Sequence, residues 1–244
     1  MNATRIDVVV PVHDEEDSVA RSLDALSAAV ASLGTAHPDV VVGVTLVLDG
    51  CTDATAEVVR GVRAADAAWS GGALHVRTSA HVGVGRARAL GAAHARSSAA
   101  PTIEPARHWL AHTDADSRVH PDWLVQQVDA LSAGAHLLVG AVVPDPDDLD
   151  PDVLDRWVRA HPPGATLGHV HGANLGIRAD AYTALGGFDP VPEHEDVRLV
   201  ERARALGFDV RATTDLPVVT SGRFTGRTPG GYAEHLRRTY GDAV

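Results

Sequence analysis

The stretch that decides the fold is Trp109-Leu110-Ala111-His112-Thr113-Asp114-Ala115-Asp116, where an apolar run leads directly into two carboxylates one residue apart. Short apolar runs are typical of buried strands, so we predict a strand over residues 109–113. Carboxylates at the end of a buried strand are costly unless they have a partner. A divalent cation that also binds a diphosphate would be such a partner, because hard cations prefer carboxylate and phosphate oxygens. The alternative is a turn whose carboxylates cap the next helix.

Elsewhere the chain alternates β-branched apolar runs with segments of helical spacing. The apolar run over residues 6–12, for example, precedes a helical pattern over residues 19–33. This alternation predicts one α/β domain with a mostly parallel sheet and helices on both faces. The predicted strands are 6–12, 40–48, 74–78, 109–113 and 137–143, and the predicted helices are 19–33, 54–65, 86–96, 121–133 and 197–206.

Acidic residues follow three of the predicted strands. Asp14, Asp49 and the pair Asp114 and Asp116 each come at or just beyond a strand end. In open α/β sheets, ligands bind beyond the carboxyl ends of the strands. We therefore expect these carboxylates to meet at one edge of the sheet and to form a single polar site.

Composition limits the classes of partner. The formal net charge of −11 argues against nucleic acid and anionic membrane surfaces, because both require a positive footprint. No uninterrupted apolar run reaches the roughly 18–20 residues of a membrane span, and the N-terminus lacks the apolar core of a signal peptide. The single cysteine, Cys51, excludes an intramolecular disulfide and fits a reducing compartment. We expect a cytoplasmic protein with no integral membrane segment.

Seven motifs occur in a fixed order along the chain, and together they resemble the family 2 glycosyltransferases over roughly residues 5–220. They are Val8-Val9-Val10-Pro11-Val12-His13-Asp14-Glu15-Glu16, Val47-Leu48-Asp49-Gly50-Cys51-Thr52-Asp53, His81-Val82-Gly83-Val84-Gly85-Arg86-Ala87-Arg88-Ala89-Leu90-Gly91, Asp114-Ala115-Asp116, Gly172-Ala173-Asn174-Leu175-Gly176-Ile177-Arg178, Gly186-Gly187-Phe188-Asp189 and Glu195-Asp196.

The resemblance implies a GT-A fold, which is a Rossmann-like, mostly parallel sheet flanked by helices, in a single domain. It divides the chain into a nucleotide-binding half (1–143), an acceptor-side half (144–220) and a C-terminal tail (221–244). The implied activity is a metal-dependent, inverting transfer of a sugar from a nucleotide diphosphate sugar to a hydroxyl acceptor. Because the Q-x-x-R-W element of the polymerising enzymes is absent, we expect a single transfer. The alternatives are a non-catalytic nucleotide-sugar-binding protein and a nucleotidyltransferase.

For the nucleotide, the resemblance implies that Asp49 accepts a hydrogen bond from the base. A uracil imide would suit this carboxylate, so a UDP-sugar is favoured and a GDP-sugar is possible. Leu48 replaces the family's first aspartate, which removes one polar contact. An aspartate that only stabilises the Gly50 turn is the alternative reading of Asp49, as helix capping is for Asp14. The predicted nucleotide-binding residues are Pro11, Val12, Asp14, Glu15, Asp49, Gly83, Arg86, Arg88, Asp114, Ala115, Arg223 and Arg227.

Two pairs of arginines in that set follow glycines. Arg86 and Arg88 lie in the first turn of the helix after Gly83, where backbone amides favour anions. An arginine at that end of a helix opposes the helix dipole, which favours a role in ligand contact. We expect Arg223 and Arg227, on a glycine-rich loop, to clamp the diphosphate. A tail with scattered charge is the alternative.

For the chemistry, the resemblance implies that Asp116 binds Mn²⁺ or Mg²⁺ and that Asp114 contacts the ribose or donor sugar or serves as a second ligand. Asp196 is the expected general base for the acceptor hydroxyl, with Glu195 as the second candidate. A helix N-terminal carboxylate is the plain alternative for Asp196.

For the sugars, Gly172, Ala173 and Asn174 are expected to form a floor, because small residues allow close backbone approach. Asp189 is expected to contact a sugar hydroxyl, or else to stabilise a turn. His169 and His171 alternate on what reads as a strand and would then share one face, where they could bind a metal.

Overall fold

The structure, a computed structural model, describes residues 3–70, 72–191, 193–226 and 231–241. Its elements follow one another mostly as alternating strands and helices. The strands are β1 (Thr4–Val12), β2 (Val40–Asp49), β3 (Leu74–Ser79), β4 (His108–His112), β5 (Ser117–Arg118), β6 (Leu137–Pro144), β7 (Leu175–Arg178) and β8 (Val210–Thr220), and the α-helices are α1 (Val19–Ala36), α2 (Thr55–Ala65), α3 (Ala67–Ser70), α4 (Val84–Ser98), α5 (Trp123–Ser132), α6 (Pro151–Ala160), α7 (Ala179–Ala184), α8 (Glu195–Ala205) and α9 (Tyr232–Tyr240).

These strands form one sheet in the order β3-β2-β1-β4-β7-β6-β8-β5. β1 pairs in parallel with β2 and β4, β2 with β3, and β6 with β8, so four of the seven pairings are parallel. The predicted fold class, a single α/β domain with a mostly parallel sheet flanked by helices, is confirmed.

Both faces of the central strand β1 are buried. Val8 and Val10 pack with α1 and α5 on one face. Val9 packs with α4 and α8 on the other face. A strand that is covered on both sides has no polar face, which explains the unbroken apolar run from Val8 to Val12, while the buried charges of Arg5 and Asp7 earlier in the strand pair with each other.

The second half of the chain introduces the antiparallel pairings. The short strand β7 lies between β4 and β6 and runs antiparallel to both. The prediction of a strand at His169 and His171 is wrong: both lie in a loop that leads into a 3₁₀ turn over Gly172–Asn174. Polar and apolar residues alternate there, but pairing with β4 and β6 begins only at Leu175.

The carboxyl ends of β1, β2 and β4 meet at one edge of the sheet. Val12 lies opposite Leu48, and Val9 lies opposite His112. The turns that follow these three strands are therefore neighbours. Within the described residues, no helix combines the length and the apolar character that crossing a bilayer would require.

Candidate active site

Two adjoining cavities open at this edge of the sheet. The smaller cavity, of about 350 Å³, lies among the turns after β1, β2 and β4 and the start of α4. The predicted nucleotide and metal residues that line it are Pro11, Val12, Glu15, Asp49, Gly83, Asp114, Ala115, Asp116 and Arg223.

The larger cavity, of about 590 Å³, lies beside it and is bounded by the starts of α8 and α9. Its wall includes the predicted residues Arg88, Gly172, Ala173, Glu195 and Asp196. Val84, Asp114, Asp116 and Arg223 line both cavities. The carboxylates of Asp49 and Asp196 therefore belong to two cavities that share a wall, with Asp116 in that wall.

Asp116 lies in a cluster of three carboxylates with Asp114 and Glu15. The pKa of Asp116 is raised to about 6, first by burial and then by repulsion from the other two carboxylates, while Arg223 opposes the rise. Arg223 donates to Glu15 from both terminal nitrogens, at 3.1 and 2.8 Å, and its Nη2 lies 3.0 Å from Asp116 Oδ2. One guanidinium thus pairs with two of the three acidic side chains, Glu15 and Asp116.

Arg223 reaches this cluster because the chain after β8 is held in a tight turn. The Ser221 hydroxyl and the Gly222 amide both donate to Asp148 Oδ2, at 2.8 and 2.9 Å. A Cβ on Gly222 would lie 2.9 Å from the Leu149 side chain. A glycine is therefore needed at this point of close approach.

Arg88 is buried and links the shared wall to the larger cavity. Its Nη1 donates to Glu195 Oε1 at 2.6 Å, and its Nη2 donates to Asp114 Oδ1. Burial lowers the pKa of Arg88, but the carboxylates of Asp114 and Glu195 raise it by more than burial lowers it. The guanidinium therefore keeps its positive charge. A Cβ on Gly172 would fall on this guanidinium. Rather than projecting toward an anion in the smaller cavity, the Arg88 side chain bridges two carboxylates.

Glu195 and Asp196, in the first turn of α8, have different surroundings. The Glu195 side chain is only 4% exposed and is held by Arg88. Asp196 is partly exposed and accepts hydrogen bonds from the amide of Gly172 at 2.6 Å and from its neighbour Val197 at 2.7 Å. Each Asp196 oxygen receives one backbone donor, which fixes the carboxylate while leaving it a lone pair on each oxygen.

Asp49, at the end of β2, is buried, and its carboxylate receives three hydrogen bonds. Oδ1 accepts from the Ser79 hydroxyl and the Val82 amide, both at 2.7 Å, and Oδ2 accepts from the Gly83 amide at 2.8 Å. The predicted choice was between a base contact and support of the Gly50 turn. In the structure the carboxylate holds the end of β3 and the loop that follows it, and the base contact stays a prediction.

Four predicted residues line neither cavity: Asp14, Arg86, Asn174 and Asp189. Asp14 Oδ1 accepts from the Thr52 amide at 2.7 Å, so this carboxylate joins two turns. Arg86 is exposed and lines neither cavity.

Asn174 is buried: it accepts from Trp123 Nε1 at 2.8 Å and donates to the Ala141 carbonyl at 2.9 Å. Asp189 accepts from Arg202 Nη1 at 3.1 Å. Arg227 lies outside the described residues.

Sequence reasoning missed two groups of lining residues. His13 and His81 lie in the wall of the smaller cavity, and their position inside quoted motifs was the signal that could have found them. The rings in the larger cavity come from a helix end, a loop and α9, which share no sequence pattern. These rings belong to Trp157, His161, Tyr232 and His235, and to His169 and His171, which the sequence had singled out only as possible metal ligands.

A separate acidic group lies at the turns after β1 and β2. Possible ligand atoms of Asp14, Cys51 and Asp53 lie within 4.8 Å of one another. Asp14 and Asp53 accept backbone hydrogen bonds from Thr52 and Thr55, so these carboxylates stabilise the turns. Among the described residues, no such group includes His169 or His171.

Comparisons with known proteins agree with this architecture. A sequence profile described as "Glycosyl transferase family 2" matches residues 7–185, well over half of the chain. No curated protein matches the chain as a recognised relative.

Solved structures share the fold at low identity. The mannosyltransferase PcManGT from Pyrobaculum calidifontis, in complex with GDP-Man and Mn²⁺, has a TM-score of 0.65 and 17% identity, and the match covers 96% of this chain and 68% of that one. Glucosyl-3-phosphoglycerate synthase from Mycobacterium tuberculosis, in complex with Mg²⁺ and UDP, has a TM-score of 0.57 and 17% identity, covering 90% and 72%. The same synthase with Mn²⁺ and UDP-glucose has a TM-score of 0.55 and 17% identity, covering 96% and 76%.

The profile match extends from β1 through α7 and includes the turns that line the smaller cavity, and the solved structures reproduce the sheet and its helices. The chain belongs to glycosyl transferase family 2 and is a glycosyltransferase with a GT-A fold.

Proposed function

We propose that the protein is a metal-dependent, inverting glycosyltransferase that moves one sugar from a nucleotide diphosphate sugar to a hydroxyl acceptor. The observation that carries the proposal is the shared wall: Asp116 lines both cavities, and Asp196 opens into the larger one. A nucleotide diphosphate in the smaller cavity and an acceptor in the larger one would meet at this wall.

The residues around Asp116 fit a divalent cation. Asp116, Asp114 and Glu15 supply hard oxygen ligands of the kind that Mn²⁺ and Mg²⁺ take. The pKa of Asp116 is raised by burial and by the neighbouring carboxylates of Asp114 and Glu15, and Arg223 only partly offsets this rise. Asp116, with Asp114 as the second ligand, would hold the ion. When bound, the ion supplies Lewis-acid stabilisation of the diphosphate leaving group. The complexes of PcManGT with Mn²⁺ and of the synthase with Mg²⁺ support this assignment.

Asp196 is the residue we assign as general base. Glu195 shares its oxygen with the buried Arg88, whereas Asp196 is oriented by backbone amides and faces the cavity. A base must lie within hydrogen-bond reach of the hydroxyl that it deprotonates. With the base on the larger-cavity side and the diphosphate on the other, the hydroxyl attacks opposite the leaving group, and such a displacement inverts the anomeric carbon.

Arg223 is the cation that we expect to hold the diphosphate. Its guanidinium lines both cavities and already pairs with Glu15 and Asp116. Arginine binds phosphate oxygens bidentately, so an incoming diphosphate competes for the same nitrogens. Arg227 remains part of this proposal as the second residue of the clamp.

UDP-sugars are our first choice of donor and GDP-sugars the second. The UDP complexes of the synthase and the GDP-Man complex of PcManGT support both as candidates. We propose a cytoplasmic location and a single transfer for each donor.

The test is a panel of UDP, GDP and their sugars with and without Mn²⁺, read by thermal shift, followed by assay of sugar transfer and NMR of the product anomer. Ligands that bind the folded state raise its melting temperature by mass action. We expect Mn²⁺-dependent shifts with at least one nucleotide and an inverted product. Asp196→Asn should lower turnover about 100-fold or more while keeping nucleotide binding, and Asp116→Asn should lose the Mn²⁺-dependent shift.

Asp24→Asn, on the exposed side of α1, is the matched control. Binding without any transfer or donor hydrolysis would favour the non-catalytic alternative. Absence of any nucleotide shift in the wild type would overturn the proposal.

A further inference from the structure

Two imidazoles in contact form part of the wall of the smaller cavity. The rings of His13 and His81 have centroids 4.3 Å apart and planes tilted by 45°. Both residues line the cavity together with Asp49. Flat rings are the side chains that nucleobases stack on, and every base offers a π face.

The His81 backbone is held in a rare conformation. Its φ is +49°, in the left-handed region that is uncommon for a non-glycine residue, and residues strained in this way cluster at active sites and ligand-binding sites. A Cβ on Gly50 would lie 2.7 Å from the His81 Cβ. Any side chain at position 50 would therefore clash with His81 in its observed position.

Asp49 fixes the segment that presents His81. Its carboxylate accepts from the amides of Val82 and Gly83, the two residues that follow His81. The remaining contact of Oδ1 goes to the Ser79 hydroxyl. Three of the lone-pair sites on this carboxylate are thus used to shape the loop, so Asp49 has little capacity left for an edge contact with a base.

His13 packs against His81 and is itself held by a hydrogen bond. Its Nδ1 lies 2.7 Å from the Asp49 carbonyl oxygen, and because a carbonyl only accepts, Nδ1 carries the proton. Its Nε2 lies 3.7 Å from Asp14 Oδ2. The hydrogen bond at Nδ1 therefore fixes the orientation of the His13 ring. By contrast, none of the hydrogen bonds among the described residues involves the His81 ring, and because His81 is exposed and lines the cavity, its ring is accessible to a ligand.

We propose that His81 is the stacking residue for the nucleobase, with His13 as its support, and that the base is recognised by its ring face more than by the Asp49 carboxylate. This rests on the proposed function. Stacking is tolerant of base identity. The expected consequence is that UDP and GDP bind with affinities within about tenfold of each other, which is 1.4 kcal/mol.

The experiment measures dissociation constants of UDP, GDP and inorganic pyrophosphate with Mn²⁺, by calorimetry, for the wild type and three variants. His81→Ala should weaken the binding of both nucleotides about tenfold or more, because the base loses the ring on which it stacks. Pyrophosphate has no base, so its affinity should change less than about twofold. His81→Phe keeps a flat ring and should restore most of the lost nucleotide affinity.

His37→Ala, at the end of α1 and outside both cavities, is the control for loss of a histidine. The inference is overturned if His81→Ala leaves nucleotide affinity unchanged, if pyrophosphate weakens equally, or if His81→Phe gives no recovery. Thermal melts of each variant separate these results from misfolding. Failure of the proposed function looks different, because the wild type itself would then bind no nucleotide.

Discussion

Two buried arginines make similar ion pairs at different places in the sheet. Arg5 donates to Asp7 from Nε at 2.6 Å and from Nη2 at 2.7 Å, and Asp7 also pairs with His108 at 2.6 Å. All three groups belong to the neighbouring strands β1 and β4. Arg88 instead joins the end of β4 to the start of α8, through Asp114 and Glu195.

The two triads differ in the exposure of their side chains to solvent. The Asp7 side chain is 0% exposed, and its partners are almost fully covered. In the Arg88 triad, Asp114 is 34% exposed and lines both cavities. The Asp7 triad therefore joins two strands, whereas the Arg88 triad fixes the geometry of a wall that substrates would touch. Disruption of the Asp7 triad should therefore reduce folding stability, and disruption of the Arg88 triad should reduce turnover.

The largest effect is expected for Asp7→Ala. It leaves Arg5 and His108 buried without their carboxylate, and breaking a buried pair in this way costs about 3–5 kcal/mol. Urea denaturation should show this loss of unfolding free energy, while nucleotide affinity stays within about twofold of wild type at temperatures where the variant is folded. Asp24→Ala, an exposed aspartate of α1, should change stability by less than about 0.5 kcal/mol. A strong loss of nucleotide affinity in folded Asp7→Ala would contradict the division between the triads.

Arg88→Lys comes next. A lysine keeps the charge but cannot span two carboxylates as the planar fork does. We expect turnover to fall about 100-fold, equivalent to about 2.7 kcal/mol, with a change in nucleotide affinity of less than about fivefold. Steady-state kinetics together with nucleotide titration separates the two quantities. Equal losses in both would place Arg88 on the nucleotide, as the sequence motif predicted.

Gly172→Ala tests the same triad by adding one methyl group. The new Cβ would fall on the Arg88 guanidinium, so the bridge has to shift. We expect turnover to fall about tenfold, or 1.4 kcal/mol. Gly61→Ala is the matched control, because a Cβ there meets nothing within 4 Å. In the helix α2 that change should raise stability by about 0.5–1 kcal/mol.

The smallest effect is the acid dependence of stability. Burial raises the pKa of Asp7, but hydrogen bonds from His108 and Arg5 outweigh it and hold the pKa below its usual value of 3.8. A carboxyl with a lowered pKa stabilises the fold fully above its unfolded-state pKa, and this contribution is lost as pH falls through the folded-state pKa. Unfolding free energies measured from pH 5 down to pH 2 should therefore fall more steeply for wild type than for Asp7→Ala. Parallel curves would show that Asp7 is not the titrating group.

The regular half of the fold was predictable because its signals are local. The apolar runs of β1, β2 and β4 and the helical spacing of α1 arise from burial of each element, and each can be seen within one segment. The meeting of Asp49 and Asp116 at one edge followed from the parallel order of the strands. That rule needs no knowledge of side-chain contacts.

The rest depends on contacts between distant segments. The role of Arg88 is set by Glu195, 107 residues away in sequence, so no local pattern could reveal it. β7 has only four residues, too few for a periodic signal, and its antiparallel direction is decided by β4 and β6. The strand predicted at His169 shows the same limit, since alternation alone does not supply a pairing partner.

The shared wall between the two cavities has an evolutionary consequence. The rings of His13 and His81 and the rings around Tyr232 line different cavities, and the two sets have no member in common. Substitutions at one extremity can therefore accumulate without disturbing the other. Asp114, Asp116 and Arg223 line both cavities. A lineage that diversifies its substrates is therefore free to vary the rings of each cavity but is constrained to retain these three residues of the shared wall.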